Sequence, residues 1–258
     1  MTGIYFNWRG AWAIYKYELS RAWRTFFQTI LAPVLTTSLY FIVFGAAIGG
    51  RIDEIGGVSY GAFIVPGLLL LTLLSETTAN ASFGIYMPRF TGSIYELLSA
   101  PVGVAETLLG FVGAAATKSL IISAIILATA KLFVDYTIVH PLLAAAFVIL
   151  VAAAFSLFGF ILGVWADGFE RLQAIPMLVL TPLTFLGGTF YSIEMLPEPW
   201  RSIAFANPIV YLVNGLRWTF YGQSDVDIRL SLGLTLAFLA VCVTIIAVIF
   251  RTGWRLRH

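Results

Sequence analysis

The sequence predicts an all-α integral membrane protein: six transmembrane helices preceded by an amphipathic interfacial helix, with short re-entrant or outer helices between spans five and six. Three observations predict it. Of the 258 residues, 60% are hydrophobic and 11% are charged, against about 45–50% and about 25% in a soluble domain. Uncharged runs reach the length of about 20 residues that a hydrocarbon core asks of a helix. These runs are continuous rather than alternating with period two, which excludes a transmembrane barrel. The same composition excludes a soluble enzyme and a disordered chain. Lys+Arg 15 against Asp+Glu 13 gives a net charge of +2, too balanced for a nucleic-acid binder. The single cysteine, Cys242, and the two distant histidines, His140 and His258, supply neither a disulfide framework nor a metal centre.

The interfacial helix, expected within 1–27, rests on periodicity. Trp8, Trp12, Tyr15, Leu19, Trp23 and Phe26 recur at steps of three and four, an arc of roughly 80° on one helical face. Arg9, Lys16, Ser20, Arg21 and Arg24 occupy the rest. A tryptophan stripe opposite basic residues describes a helix lying in the headgroup plane. The spans follow at 30–48, 55–75 (continuing past Glu76 toward Phe83), 109–133, 136–166, 172–193 and 230–250. The third requires Lys118 to snorkel or to face protein. The run 202–216 is too short to cross and contains Asn207-Pro208. The proline interrupts a helix there, so the run reads as a re-entrant or interfacial piece.

Orientation follows from Lys and Arg. Arg9, Lys16, Arg21, Arg24, Arg89, Arg171, Arg251, Arg255 and Arg257 fall on the N-terminal side of the membrane, and Arg51, Lys131, Arg201, Arg217 and Arg229 on the other. Both termini are therefore expected in the cytoplasm. No cleavable signal peptide is expected, because the first apolar run starts late and is full length. Glu76 is the acidic residue expected inside a span, with Lys118 as a counter-charge. Glu76 reads either as a path residue or as a group at the inner water line. Gly45-xxx-Gly49, Gly57-xxx-Gly61 and Gly159-xxx-Gly163 permit close helix approach. His140 reads as an interfacial residue beside Pro141.

After the second span, residues 87–102 read as an inner loop with a short amphipathic helix. Ile94, Leu97 and Leu98 form its apolar side, Glu96 faces water, and Pro101 stops it. A further stretch holds Thr189-Phe190-Tyr191, Leu196-Pro197, Asn207-Pro208 and Gly215-Leu216-Arg217. Together with Pro66-Gly67 and Gly92…Glu96-Leu97-Leu98…Ala100-Pro101, these residues resemble the permease subunits of type-2 ABC transporters, bacterial exporter permeases in particular. The likeness covers essentially the whole chain. It departs before the loop glycine, where many members carry an Arg-Glu pair and this chain has Arg89-Phe90-Thr91-Gly92.

The resemblance implies one type-2 ABC transmembrane domain over 1–258, paired as a dimer on two cytoplasmic ATPase subunits. The loop within 84–103 is then the coupling helix, with Arg89, Gly92, Glu96, Leu97, Leu98 and Pro101 as its contact residues. The interfacial helix, through Arg9, Lys16, Arg21 and Arg24, is a second contact. Glu76, Lys118, Phe185, Phe190 and Tyr191 are candidates for the translocation path. Short helices within 192–224, with Pro197, Asn207, Pro208 and Arg217, cap it on the outside. The chain itself is expected to be no enzyme and to bind no cofactor. Thr117-Lys118-Ser119 resembles the tail of a Walker A loop, but Val112 and Thr117 stand where glycines are required. ATP and magnesium belong to the partner. Lipid, lipid-linked glycan and hydrophobic drug all fit such a subunit as substrate, and export is the direction the likeness implies. Two other classes are weighed. A secondary transporter predicts paired intramembrane acids or an internal repeat; an intramembrane enzyme predicts an Asp, His or Ser cluster near one face. The sequence displays none of these.

Overall fold

The computed structural model describes residues 6–24, 27–45, 52 and 54–254. Phe26, Gly49, Arg51, Asp53, Arg255, Arg257, His258 and the side chain of Leu98 lie outside the described residues.

The chain is helical almost throughout. Helix α1 (Trp8–Arg24) begins where Asn7 accepts the Gly10 N–H at 2.9 Å, an N-cap bond that satisfies an orphan donor. Two long helices form the centre: α4 (Val65–Thr91), largely buried, and α7 (Pro141–Trp165). Around them stand α6 (Val104–Phe133) and α12 (Ile228–Thr252). Tyr60–Thr91 and these other three are the described helices long and apolar enough to cross a membrane.

The first and fifth expected spans differ from the prediction: both are interrupted. The first is a π-turn (Phe27–Leu31), then α2 (Ala32–Tyr40), then a second π-turn (Phe41–Gly45). The fifth is α8 (Phe169–Ile175), a π-turn (Pro176–Leu180) and α9 (Thr181–Leu186). Pro33, Pro176 and Pro182 lie in or beside two of these π-turns and lack the N–H that an α-turn uses. In the fifth span the Thr181 N–H and hydroxyl both reach back five residues to the Pro176 carbonyl.

The second span starts later than expected. Residues 54–59 form a hairpin, β1 (Glu54–Ile55) against β2 (Val58–Ser59), followed by α3 (Tyr60–Phe63). Gly56 and Gly57, at φ +58 and +77, make its turn, as a two-residue hairpin with φ > 0 at both positions demands. Gly57 therefore serves a turn, and the Gly57-xxx-Gly61 reading is corrected. Gly159-xxx-Gly163 does lie on a helix face, pressed on α4. A Cβ at Gly159 would meet the Thr78 carbonyl oxygen at 2.4 Å, and one at Gly163 the Ser82 carbonyl oxygen at 2.2 Å.

Between α9 and α12 come a 3-10 turn (Ile193–Met195), α10 (Trp200–Phe205) and α11 (Pro208–Tyr221). Asn207-Pro208 starts a helix rather than breaking one. Proline at the first helical position loses only a donor that would be unpaired anyway. The Asn207 carboxamide caps α11 through the Ile209 N–H at 2.9 Å and donates to Leu183 O at 2.6 Å. We call this end of the bundle, with the hairpin, the cap end. The end with α1 and α5 (Ile94–Ser99) is the loop end.

Candidate functional site

A cavity of about 660 Å³ opens between α1, α2, α4, α6 and the broken α8–α9 segment. Glu76, on α4, and Lys118, on α6, both line it. They do not touch each other; Asn80, one turn below Glu76, bridges them. Its amide donates to Glu76 Oε2 at 2.9 Å and its carbonyl oxygen accepts from the Lys118 ammonium. Asn80 is a site residue that sequence reading passed over, although its i+4 spacing from Glu76 was visible.

The second charged pair in the cavity comes from α1. Glu18 is 7% exposed and pairs with Arg21 at 2.5 Å, while the Arg21 guanidinium lies 4.9 Å from the Phe83 ring. Burial pushes the Glu18 carboxyl above the usual carboxylate range, and Arg21 and Lys118 pull it back. This corrects the reading of α1 in two respects. Arg21 turns into the cavity rather than outward with Arg9, Lys16 and Arg24, which are exposed. The helix also buries a second face, Ala11, Ile14 and Glu18, beside the exposed stripe of Trp8, Trp12 and Trp23. That face fits α6 because Gly110 is small: a Cβ there would meet Ile14 Cγ2 at 2.5 Å. Tyr15 adds a hydroxyl bond to Thr117 at 3.0 Å.

Toward the cap end the cavity meets an aromatic cluster. Phe190 stacks on Phe44 at 4.3 Å and lies 5.1 Å from Phe185, with Tyr40, a cavity residue, 5.8 Å from Phe190. Tyr191 belongs elsewhere: it packs with Ile193, Ala204 and Val210 in the cap, its hydroxyl donating to Leu186 O.

At the loop end, α4 closes at Gly92, φ +79, the left-handed residue after which α5 turns away. Glu96 and Pro101 are exposed, whereas Leu97 packs against the helical core. Arg89 is not simply outward-facing: its Nη1 donates to Gly163 O at 2.7 Å and Ala166 O at 3.4 Å, capping the C-terminal carbonyls of α7 as a cation there should. Asn7 ties three segments at this end. Its backbone N–H donates to Glu106 Oε1 at 2.9 Å and its side chain to Pro101 O at 2.9 Å. Glu106 is buried, a second acid in a span helix that the sequence reading did not anticipate.

The cap residues also divide. Pro197 and Pro208 are exposed, Asn207 is buried, and Arg217, counted among the outer-side basic residues, is 3% exposed. Its Nη2 donates to Gly188 O at 2.6 Å and its guanidinium lies 3.9 Å from the Phe63 ring. Gly188, at φ +82, and Gly67, whose Cβ would meet Thr189 O at 2.6 Å, hold the turn after α9 against α4. His140 stacks on Trp218 at 4.8 Å at the start of α7.

Residues 9–221 match the ABC-2 type transporter family. The chain belongs to that family. It is 35% identical over 254 residues to the inner membrane transport permease YadH of Escherichia coli (strain K12), covering 98% of this chain and 99% of that one. It is 25% identical to Nodulation protein J of Rhizobium leguminosarum bv. viciae over 240 residues, 91% of this chain and 90% of the relative. Nodulation protein J of Rhizobium meliloti (strain 1021) is 23% identical over 237 residues, 91% of this chain and 89% of the relative. The protein is thus a membrane-embedded transport permease of the ABC-2 family.

Proposed function

We propose that this chain is the transmembrane subunit of an ATP-driven exporter of the inner membrane, with six spans, both termini cytoplasmic and two copies forming the path. Its single domain is divided as 1–27 for the interfacial helix, 84–103 for the coupling loop and 192–224 for the outer cap. The observation that carries the reading is the cavity, a charged and hydrogen-bonded recess reached by Glu76, Asn80 and Lys118 within helices of membrane-spanning length. Charges in such a position are costly unless they serve a hydrated pathway or pair within protein. The interrupted first and fifth spans border the cavity with apolar outer faces, Leu35, Leu39, Met177 and Leu178, which supports a second copy or lipid against that side.

Coupling runs through the loop end. Glu96 offers its carboxylate to a basic group on a cytoplasmic ATPase, with Gly92, Leu97, Leu98 and Pro101 shaping the loop. Arg89 acts as the loop's anchor on α7. Arg9, Lys16 and Arg24 give the same partner a basic surface. ATP and magnesium are held by that partner. The transported molecule is a lipid, a lipid-linked glycan or a hydrophobic drug.

The test is ATPase stimulation in lipid nanodiscs. Glu96→Ala should leave membrane insertion unchanged, since insertion depends on apolar length. It should lower ATPase association or substrate-stimulated hydrolysis about tenfold, equivalent to ~1.4 kcal/mol. Assembly and stimulation equal to the parent would refute the coupling role.

A further inference from the structure

A second cavity, of about 210 Å³, lies at the cap end between the hairpin, the turn at Ser192 and the C-terminal half of α11. Its charged lining among the described residues is Arg217, Asp225 and Glu194. The Arg217 guanidinium is immobilised. Nη2 is bonded to Gly188 O, Nη1 reaches Asn214 Oδ1 at 3.3 Å, and the Phe63 ring lies against its plane. Its Nε is buried and has no hydrogen-bond partner. A buried donor without an acceptor is rare in folded proteins because desolvation goes uncompensated. Asp225 has each oxygen engaged once, by the Ser192 hydroxyl and by the Ile193 N–H, both at 2.8 Å. Further lone pairs on its carboxylate stay available. Glu194 is exposed.

We propose that this cavity binds a small zwitterion, an oxyanion set against Arg217 and a primary ammonium against Asp225 and Glu194. The signs of the lining select it. A simple anion drawn to the Arg217 charge would sit beside two carboxylates. A simple cation drawn to those carboxylates would sit beside a fixed guanidinium. A group carrying both charges a few bonds apart answers both walls at once, and the charge-assisted bonds it makes are of the stronger kind. The hairpin turn leaves room for it, because Gly56 carries no side chain where it lines the cavity. A soluble amine phosphate and the headgroup of an ethanolamine phospholipid share this chemistry.

Calorimetric titration of the full-length protein in detergent tests the assignment. Four probes are used: glycerophosphoethanolamine, dihexanoyl phosphatidylethanolamine below its micelle concentration, glycerol 3-phosphate as anion alone and ethanolamine as cation alone. Saturable binding of a zwitterionic probe at least tenfold tighter than of either single-charge probe is expected. Glu194→Gln, an exposed and conservative change, should cut that preference several-fold, and Arg217→Gln should abolish it. Should the Arg217 variant not fold, Glu194→Gln still decides. Tighter binding of the dihexanoyl lipid assigns a membrane source, and equal binding of the two zwitterions assigns a soluble one. No saturable binding, equal binding of glycerol 3-phosphate, or an unchanged preference in Glu194→Gln overturns the proposal.

Discussion

The two sides of the large cavity are built on opposite plans. Behind it, α4 and α7 meet along Gly159 and Gly163, where the α4 backbone at Thr78 and Ser82 leaves no space for a methyl group. In front of it, α2 and α8–α9 carry three π-turns, and their outer residues Leu31, Leu35, Leu39, Met177 and Leu178 are exposed. Close packing resists deformation because any shift creates voids or clashes. A π-turn, by contrast, already departs from the regular ladder and marks a functional adjustment in many helices. The difference separates a fixed wall from an adjustable one, with the charged residues divided between α1, α4 and α6 facing the adjustable side.

The largest test of that contrast is a pair of glycine substitutions. Gly163→Val places a branched side chain where even a Cβ would meet backbone, so the seam must part. The cost should exceed the ~1–3 kcal/mol of ordinary overpacking, seen as loss of a monodisperse peak in size-exclusion chromatography. Gly45→Ala, in the π-turn ending the first span, meets nothing within 4 Å and should change stability by less than about 1 kcal/mol. Equal damage at both positions would erase the contrast.

Next in size is the Asn80 bridge. Asn80→Leu leaves the Lys118 ammonium without its described partner, and thermal unfolding should show a loss of ~1–3 kcal/mol. Adding Lys118→Met should restore most of it, a coupling that a double-mutant cycle reads directly. Simple additivity would mean that the bridge contributes nothing to the fixed wall.

The smallest effect concerns α1. A carboxyl whose folded pKa lies above its unfolded one binds its proton more readily when folded. The Glu18 contribution is therefore most favourable below the ordinary carboxylate pKa and is lost as pH rises through the elevated value. Amide protection of α1, corrected for intrinsic exchange, should decline as pH rises above the ordinary carboxylate range. In Glu18→Gln this dependence should flatten, and a slope identical to the parent's would remove Glu18 from the account.

What sequence reading reached was decided by how local each signal is. Apolar length and uncharged runs are properties of single segments, so α4, α6, α7 and α12 were legible, as was the amphipathic α1. The exposed tryptophans of α1 were legible for the same reason. Its inner face was not: Ala11, Ile14 and Glu18 look unremarkable until Gly110 is brought opposite them. Arg217 was placed on the outer side by the count of basic residues, which carries no information on burial. Its burial depends on Phe63 and Gly188, which approach only once the cap folds back on α3. Proline misled in both directions. Asn207-Pro208 promised an interruption and delivered a helix start, while Pro176 and Pro182 sat in a run read as one uninterrupted span.

The bond between Asn7 and Glu106 crosses 99 positions of sequence, and this orders events during synthesis. At about 5–20 residues per second, the ribosome needs roughly 5–20 s to make the distance from one partner to the other. Throughout that interval the N-terminal helix has no α6 to receive Ala11 and Ile14, and Glu18 has no Lys118 nearby. The exposed tryptophans can hold it on the bilayer meanwhile, an arrangement that needs no partner helix. The anchor face thus serves first and the docking face second, so the nascent chain parks its own beginning on the membrane until the helix that will cover it has been inserted.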